Sequence, residues 1–215
     1  LRDRGVSVQD VLRYAQLPLD LLARKSPTLN ASEYFRLWNG LAAALRDDPA
    51  FPLRLAQTIT SEAFSPPIFA CLCSSDLNMA LERIAHYKPI VGPLRLVLEQ
   101  NHQHTRIAFA GLPENDPAPH SLILFELAFW VRVARMATRE HIIPQAVYVD
   151  VPVPEIDAYE AFFGTSIREG THSSLMFSAA DATKPFLTAS DAMWSIFEPE
   201  LRKRLNDLNR TSSFR

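Results

Sequence analysis

A long apolar helix near the middle of the chain constrains the fold more than any other segment. The run SLILFELAFWV opens residues 121–140, whose pattern predicts a helix that is apolar on nearly every side. Such a helix must be covered by other elements all round. The run is shorter than the ~20 apolar residues that span a bilayer, and Glu126 interrupts it. We therefore expect a buried helix in a soluble domain, with no membrane partner.

Composition narrows the class of protein. The 215 residues are 47% apolar and 21% charged, which suffices to bury a core in one compact domain or in two lobes. The net charge is −2, whereas a DNA-binding domain usually carries a basic surplus. Cys71 and Cys73 are too close in sequence to join distant segments. Because Leu1 opens the chain without an initiator Met or a signal peptide, we expect a fragment of a cytoplasmic protein.

Helix signals dominate the first 88 residues. Asn30 with Glu33 resembles a capping box and predicts a helix over residues 31–45. Asp48 predicts the cap of the next helix, whose core face includes Leu55. These elements predict a helical bundle over residues 1–88.

The segment 64–96 joins this predicted bundle to a part of the chain in which strand patterns replace helix patterns. Ser75 predicts the cap of a helix that ends before Pro89, and Pro89, Gly92 and Pro93 then indicate a hinge. Beyond the hinge, alternating apolar and polar residues predict strands. The predicted strands cover residues 94–99, 104–110, 146–151, a segment near 167, and 175–177.

The last helix is predicted to start near Ser190 and to run past Leu208, with a narrow apolar seam. This seam is expected to pack on its own domain or on a second subunit. The fold class predicted for the whole chain is α+β. It comprises a helical lobe over 1–88, then a small α/β sheet lobe over 89–215 that ends in a linker helix, and the two form one sensor unit.

Five motifs occur in an order that resembles the N-terminal effector-binding region of a subgroup of AraC/XylS-type bacterial transcription regulators. They are GVSVQDVLRYAQLPLDLL, EYFRLW, FSPPIFACLCSSDLNMALERIAHYKPIVGPLRL, YEAFFG and MWSIFEPELRKRL. The resemblance implies a small-molecule effector and homodimerisation through the sensor region. We expect no cofactor and no enzymatic activity. The resemblance also implies that DNA is contacted only through two helix-turn-helix units that would follow the last helix and are absent from these residues.

Side chains with catalytic or metal-binding chemistry are few. Cys71 or Cys73 with His86 could form a nucleophile and base, but no third orienting group is evident. Cys-x-Cys is a weak metal signal, and His102 with His104 lacks a third ligand. We interpret these residues as packing and turn residues, which leaves a Cys/His enzyme or a metal- or cofactor-binding domain as a lesser alternative.

Glu126 is the most informative polar residue, because a carboxylate in an apolar helix is costly to bury unless it is paired or faces a cavity. Arg95 and Arg132 are the expected partners. It is therefore either a structural ion pair or a polar anchor in an effector pocket. The candidate effector-binding residues at the junction of bundle and sheet are Phe64, Phe69, Tyr87, Arg95, Glu126 and Trp130.

Two function hypotheses remain beside the enzyme: an effector-binding regulator module and a dimerisation module without ligand. In the first, an effector at the junction shifts the lobes or the last helix and so biases the dimer.

Overall fold

The structure is a computed structural model that describes residues 5–24, 28–60, 62, 64–111 and 117–213. Within these ranges the helices are Val8–Tyr14 (α1), Ala31–Ala44 (α2), Phe51–Thr58 (α3), Pro66–Cys71 (α4), Leu77–Tyr87 (α5), His120–Thr138 (α6), Ile156–Phe163 (α7), Ala179–Ala182 (α8) and Asp191–Ser213 (α9). The strands are Leu94–Gln100 (β1), His104–Gly111 (β2), Ala146–Val149 (β3), Ile167–Glu169 (β4) and Ser174–Ser178 (β5). The predicted α+β class with a C-terminal helix is confirmed.

Side-chain caps start several of the helices. The predicted capping box of α2 is confirmed, because the Asn30 side chain accepts from the Glu33 amide at 2.9 Å and the Glu33 carboxylate accepts from the Asn30 amide. Helix α5 is capped by Asp76, which accepts from the Met79 amide, and the prediction of Ser75 was wrong. Serine and aspartate are both good helix caps, so the position at which the helical backbone begins decides which of the two residues serves.

The start of α3 also differs from the prediction. Its N-cap is Ala50, and Asp48 instead accepts a hydrogen bond from the Arg54 guanidinium at 2.9 Å. Leu55, predicted in the core, is exposed. The side chain of Asp48 is thus used by an ion pair and not by the helix terminus.

The five strands form one sheet in the order β1-β2-β5-β3-β4. Neighbouring strands are antiparallel, apart from β3 and β4, which are parallel. The predicted hairpin of the first two strands is confirmed, with Leu94 opposite Gly111 and Gln100 opposite Thr105. Strands β1 and β4 therefore occupy the two edges.

Helix α6 lies at the centre of the molecule, as predicted. Its buried side chains point in every direction around the helix, and α3 packs along it. The largest buried cluster extends from Phe35 to Phe186, so the bundle and the sheet share a core across residue 88. The division of the chain into lobes at that residue stays a prediction.

Helix α9 packs on its own domain, which answers the question left open by its apolar seam. Leu201 and Leu205 are buried against Ala70 of α4 and Tyr87 of α5. Among the helices described, none combines the length and apolar character needed to cross a membrane.

Candidate functional site

A buried ion pair lies where the bundle meets the sheet. Lys88 caps the C-terminus of α5 and opens a 3-10 turn, and its Nζ lies 2.6 Å from Oε1 of Glu126 on α6. The side chains are only 4% and 8% exposed. The expected partners were Arg95 and Arg132, and the structure replaces both with Lys88. Arg95 lies on the exposed side of β1 because alternate residues of a strand face opposite ways.

Two buried polar atoms on one face of α6 have no hydrogen-bond partner among the described residues. They are Oε2 of Glu126, an acceptor, and Nε1 of Trp130, a donor. The two residues are four apart on α6, so they share one face of the helix. A buried polar atom without a partner costs free energy. A molecule that both donates and accepts hydrogen bonds would remove this cost.

Aromatic rings line α6 next to the pair. Phe125 contacts Trp38 of α2 with ring centroids 5.1 Å apart, and it stacks on Phe129 at 5.6 Å. Phe129 in turn meets Phe64 at 5.8 Å and Trp130 at 5.5 Å. The rings form a continuous wall of the kind that holds the apolar part of a small ligand.

Tyr34 of α2 completes the site and lies close to Gly92, in the segment between α5 and β1. Burial raises the pKa of Tyr34, the Trp38 indole opposes that shift, and the negative charge of Glu126 adds to it. A Cβ atom added at Gly92 would lie 3.3 Å from Cζ of the Tyr34 ring. The backbone at Gly92 therefore approaches Tyr34 closely, and a residue larger than glycine would crowd the ring.

We call Tyr34, Lys88, Glu126, Trp130 and this aromatic wall the junction site. Of the six residues predicted from sequence, the structure places Phe64, Glu126 and Trp130 here. Sequence reasoning assigned no functional role to Lys88 or Tyr34. The signal for Lys88 was a lone basic residue at a helix end directly before a proline.

Phe69 and Tyr87 lie against the last helix. The Phe69 ring is 5.7 Å from that of Phe197, and the Tyr87 hydroxyl donates to Oε1 of Glu198 at 3.5 Å. Burial is the main reason that the pKa of Tyr87 is raised, and the charge of Glu198 adds to it. These two residues thus connect α4 and α5 to α9.

Two clefts lie outside the junction site. One of about 530 Å³ is bounded by α2, α3 and the start of α6, with Asn39, Phe51 and Leu124 among its lining residues. The other, of about 500 Å³, lies by the ends of β3 and β4 and is lined by Asp150 and Glu169, among others. None of the six predicted residues lines either cleft.

The cysteines are placed for packing. Burial raises the pKa of Cys71 to about 12, although Arg83 opposes the shift, and burial also raises the pKa of Cys73. The His86 ring contacts Tyr87, with centroids 4.7 Å apart. No group of three or more metal-ligating side chains occurs in the described ranges.

We therefore expect iodoacetamide to label the native Cys73→Ser variant, which retains only Cys71, very slowly at pH 8. A pKa of about 12 instead of 9.0 for Cys71 lowers its thiolate fraction roughly a thousandfold, and labelling should speed up as the pH rises. Mass spectrometry of the intact chain measures the rate, with urea-unfolded protein as the control. Complete labelling of native protein within minutes would keep the enzyme hypothesis.

Comparison with known proteins identifies one family model that matches this chain. The model of the family described as "Arabinose-binding domain of AraC transcription regulator, N-term" matches residues 5–186, a range that ends before α9. The crystal structure of transcriptional regulator CdpR from Pseudomonas aeruginosa is similar, with a TM-score of 0.55 and 15% sequence identity. The similarity covers 86% of this chain and 58% of that chain, and at this identity it concerns the fold. No curated protein matches the sequence.

Proposed function

Since the chain belongs to the family of N-terminal arabinose-binding domains of AraC transcription regulators, we propose that it senses a small-molecule effector at the junction site. It binds the effector without transforming it, forms a homodimer, and works in the cytoplasm as part of a regulator that contacts DNA through another domain. The effector has some apolar surface, in keeping with the aromatic wall.

The observation that carries this proposal is the buried Lys88–Glu126 pair with its incomplete hydrogen bonding. A purely structural ion pair is usually stabilised by hydrogen bonds to its remaining atoms, yet Oε2 of Glu126 has no partner among the described residues. Nε1 of Trp130 likewise has no hydrogen-bond partner among the described residues. Small-molecule sites combine apolar walls with a few placed polar groups, and the junction site has both.

The route from this site to the last helix is short. Lys88 faces Glu126, while the preceding residue, Tyr87, faces Glu198 and Trp194 of α9. An effector that competes for the ion pair displaces the end of α5, and this displacement changes the packing of α9. Only an effector with different affinities for the two arrangements shifts their populations.

A thermal-shift screen with a panel of amino acids, organic acids, sugars and phenolic compounds tests the proposal. A ligand that binds only the folded chain raises its Tm. We expect a compound that raises the Tm of the wild type to bind Tyr34→Phe and Trp130→Phe each about two- to tenfold more weakly, because one hydrogen bond is worth about 0.5–1.5 kcal/mol. Titration calorimetry measures the affinities.

Two variants serve as matched controls. Tyr14→Phe removes the hydroxyl of an exposed tyrosine outside the junction site and should keep the affinity. Ala42→Trp fills the 530 Å³ cleft, where Ala42 is a lining residue, and should keep it too. A compound whose binding is lost in Ala42→Trp but kept in Tyr34→Phe and Trp130→Phe would refute the junction site. A panel without any hit would favour the ligand-free dimerisation module.

A further inference from the structure

Strand β1 is a regular edge strand with one unpaired side. It pairs with β2 over all seven of its residues. In the described part of the chain, no backbone hydrogen bond joins its other side to another element. Proteins usually cover, shorten or bend such an edge, because it can pair with another chain.

The direction of the backbone groups follows from one hydrogen bond. The Asn101 amide donates to the His104 carbonyl at 3.0 Å, so residues 101 and 104 face each other across the hairpin. Since the bonding direction alternates along an antiparallel pair, Arg95, Val97 and Glu99 bond to β2. The N–H and C=O groups of Leu96 and Leu98 then point to the unpaired side, as do those of residues 94 and 100.

The side chains of β1 also alternate. Leu94 and Leu96 are buried, while Arg95, Val97 and Glu99 share the exposed face. Val97 is 49% exposed although it is apolar. The exposed face thus carries a positive charge, an apolar residue and a negative charge, spaced symmetrically about Val97.

We propose that β1 pairs antiparallel with β1 of a second copy of this chain, about a two-fold axis at Val97. In this register Arg95 lies opposite Glu99 of the second copy, and the symmetry repeats that ion pair. The outward backbone groups of Leu96 meet those of Leu98 of the second copy, so the hydrogen-bond pattern is satisfied as well. The result is a ten-stranded sheet with a self-complementary interface.

Other registers lack this complementarity. An axis at Arg95 or at Glu99 sets like charges directly opposite each other, which destabilises a strand pair. An axis at Leu96 or Leu98 leaves both charges without an opposite partner. Glu99 is free to take part, because its contacts within the chain are long, 3.8 Å to Arg106 and 3.9 Å to His104.

This inference rests on the homodimerisation in the proposed function and assigns it a surface. It also gives Arg95 a role, since its exposed position separates it from the junction site. Charge swaps on the whole chain test it. We expect Arg95→Glu and Glu99→Arg each to weaken the dimer at least tenfold in sedimentation equilibrium, because each sets two pairs of like charges opposite each other. The double variant R95E/E99R should restore the affinity.

A control and a cross-link make the test specific. Arg168→Glu, the same change on the exposed part of the other edge strand, should leave the dimer unchanged. Val97→Cys on the axis should form a disulfide between copies under mild oxidation, because Cα atoms at such a position are about 4.5 Å apart. Arg95→Cys should not, since each copy of residue 95 faces residue 99.

The outcomes separate this inference from the proposed function. A dimer that is insensitive to both charge swaps and is not linked by Val97→Cys would overturn the edge pairing, while dimerisation would stand. A wild-type chain that stays monomeric at the highest concentration reached would overturn both. Sensing by the junction site is decided separately by the thermal-shift screen.

Discussion

Replacing Lys88 by methionine lowers the free energy of unfolding by about 3–5 kcal/mol, because it leaves the carboxylate of Glu126 buried without its partner. Both side chains are almost fully buried, at 4% and 8% exposure, so solvent cannot take the place of the ammonium group. Methionine has a similar length and apolar stem, which limits the cost of lost packing. Urea unfolding followed by circular dichroism measures the change.

A double-mutant cycle separates the charge from the packing. Glu126→Leu leaves Lys88 unpaired and should cost a comparable amount. The double variant K88M/E126L replaces both charges with apolar groups and should be more stable than either single variant, since such replacements of buried pairs are often neutral. If the two single losses simply add in the double variant, the pair is not the source of the effect.

Replacing Arg135 by methionine is expected to cost about 2–4 kcal/mol, because three backbone carbonyls lose a charged donor. The guanidinium donates to the carbonyls of Ile142 and Phe162 at 2.8 Å each and to that of Phe163 at 3.2 Å. It also lies over the Phe162 ring, 4.8 Å from its centroid. Arg135 therefore attaches the end of α7 and the segment after α6 to the central helix.

Lysine should not rescue this position. Its ammonium is a point charge, whereas the planar guanidinium group reaches several acceptors at once. Arg135→Lys should therefore recover less than half of the stability that Arg135→Met loses. Arg168→Met, on the exposed part of β4, is the matched control and should be nearly neutral. Equal effects at residues 135 and 168 would contradict this role.

Local signals predicted most of the secondary structure. The capping box at Asn30 and Glu33 depends on residues three apart, and the alternation in β1 depends on neighbours two apart. One error arose where two adjacent residues were equally good helix caps. Ser75 and Asp76 can both cap a helix, and the structure selects the second.

The candidate site was only partly accessible to the same reasoning. The position of Glu126 in an apolar run showed that its carboxylate needed a partner, but the partner, Lys88, is 38 residues away. Tyr34 joins the site only because α2 packs beside Gly92 and near Glu126. Phe69 and Tyr87 looked equivalent to Phe64 in sequence, yet they face α9.

The sequence by itself determined that a central apolar helix must be enclosed by other elements. It also showed that the residue pattern changes from helical to strand-like near residue 89, and which family its motifs resemble. Helix caps, hydrophobic periodicity and the requirement that an apolar helix be buried depend on residues that are close in the sequence. They can therefore be read directly from it. The tertiary structure alone decided that Lys88 neutralises Glu126, that α9 packs on its own domain, and that β1 is an unpaired edge. These outcomes depend on distances between remote segments, which only the packing of all elements sets.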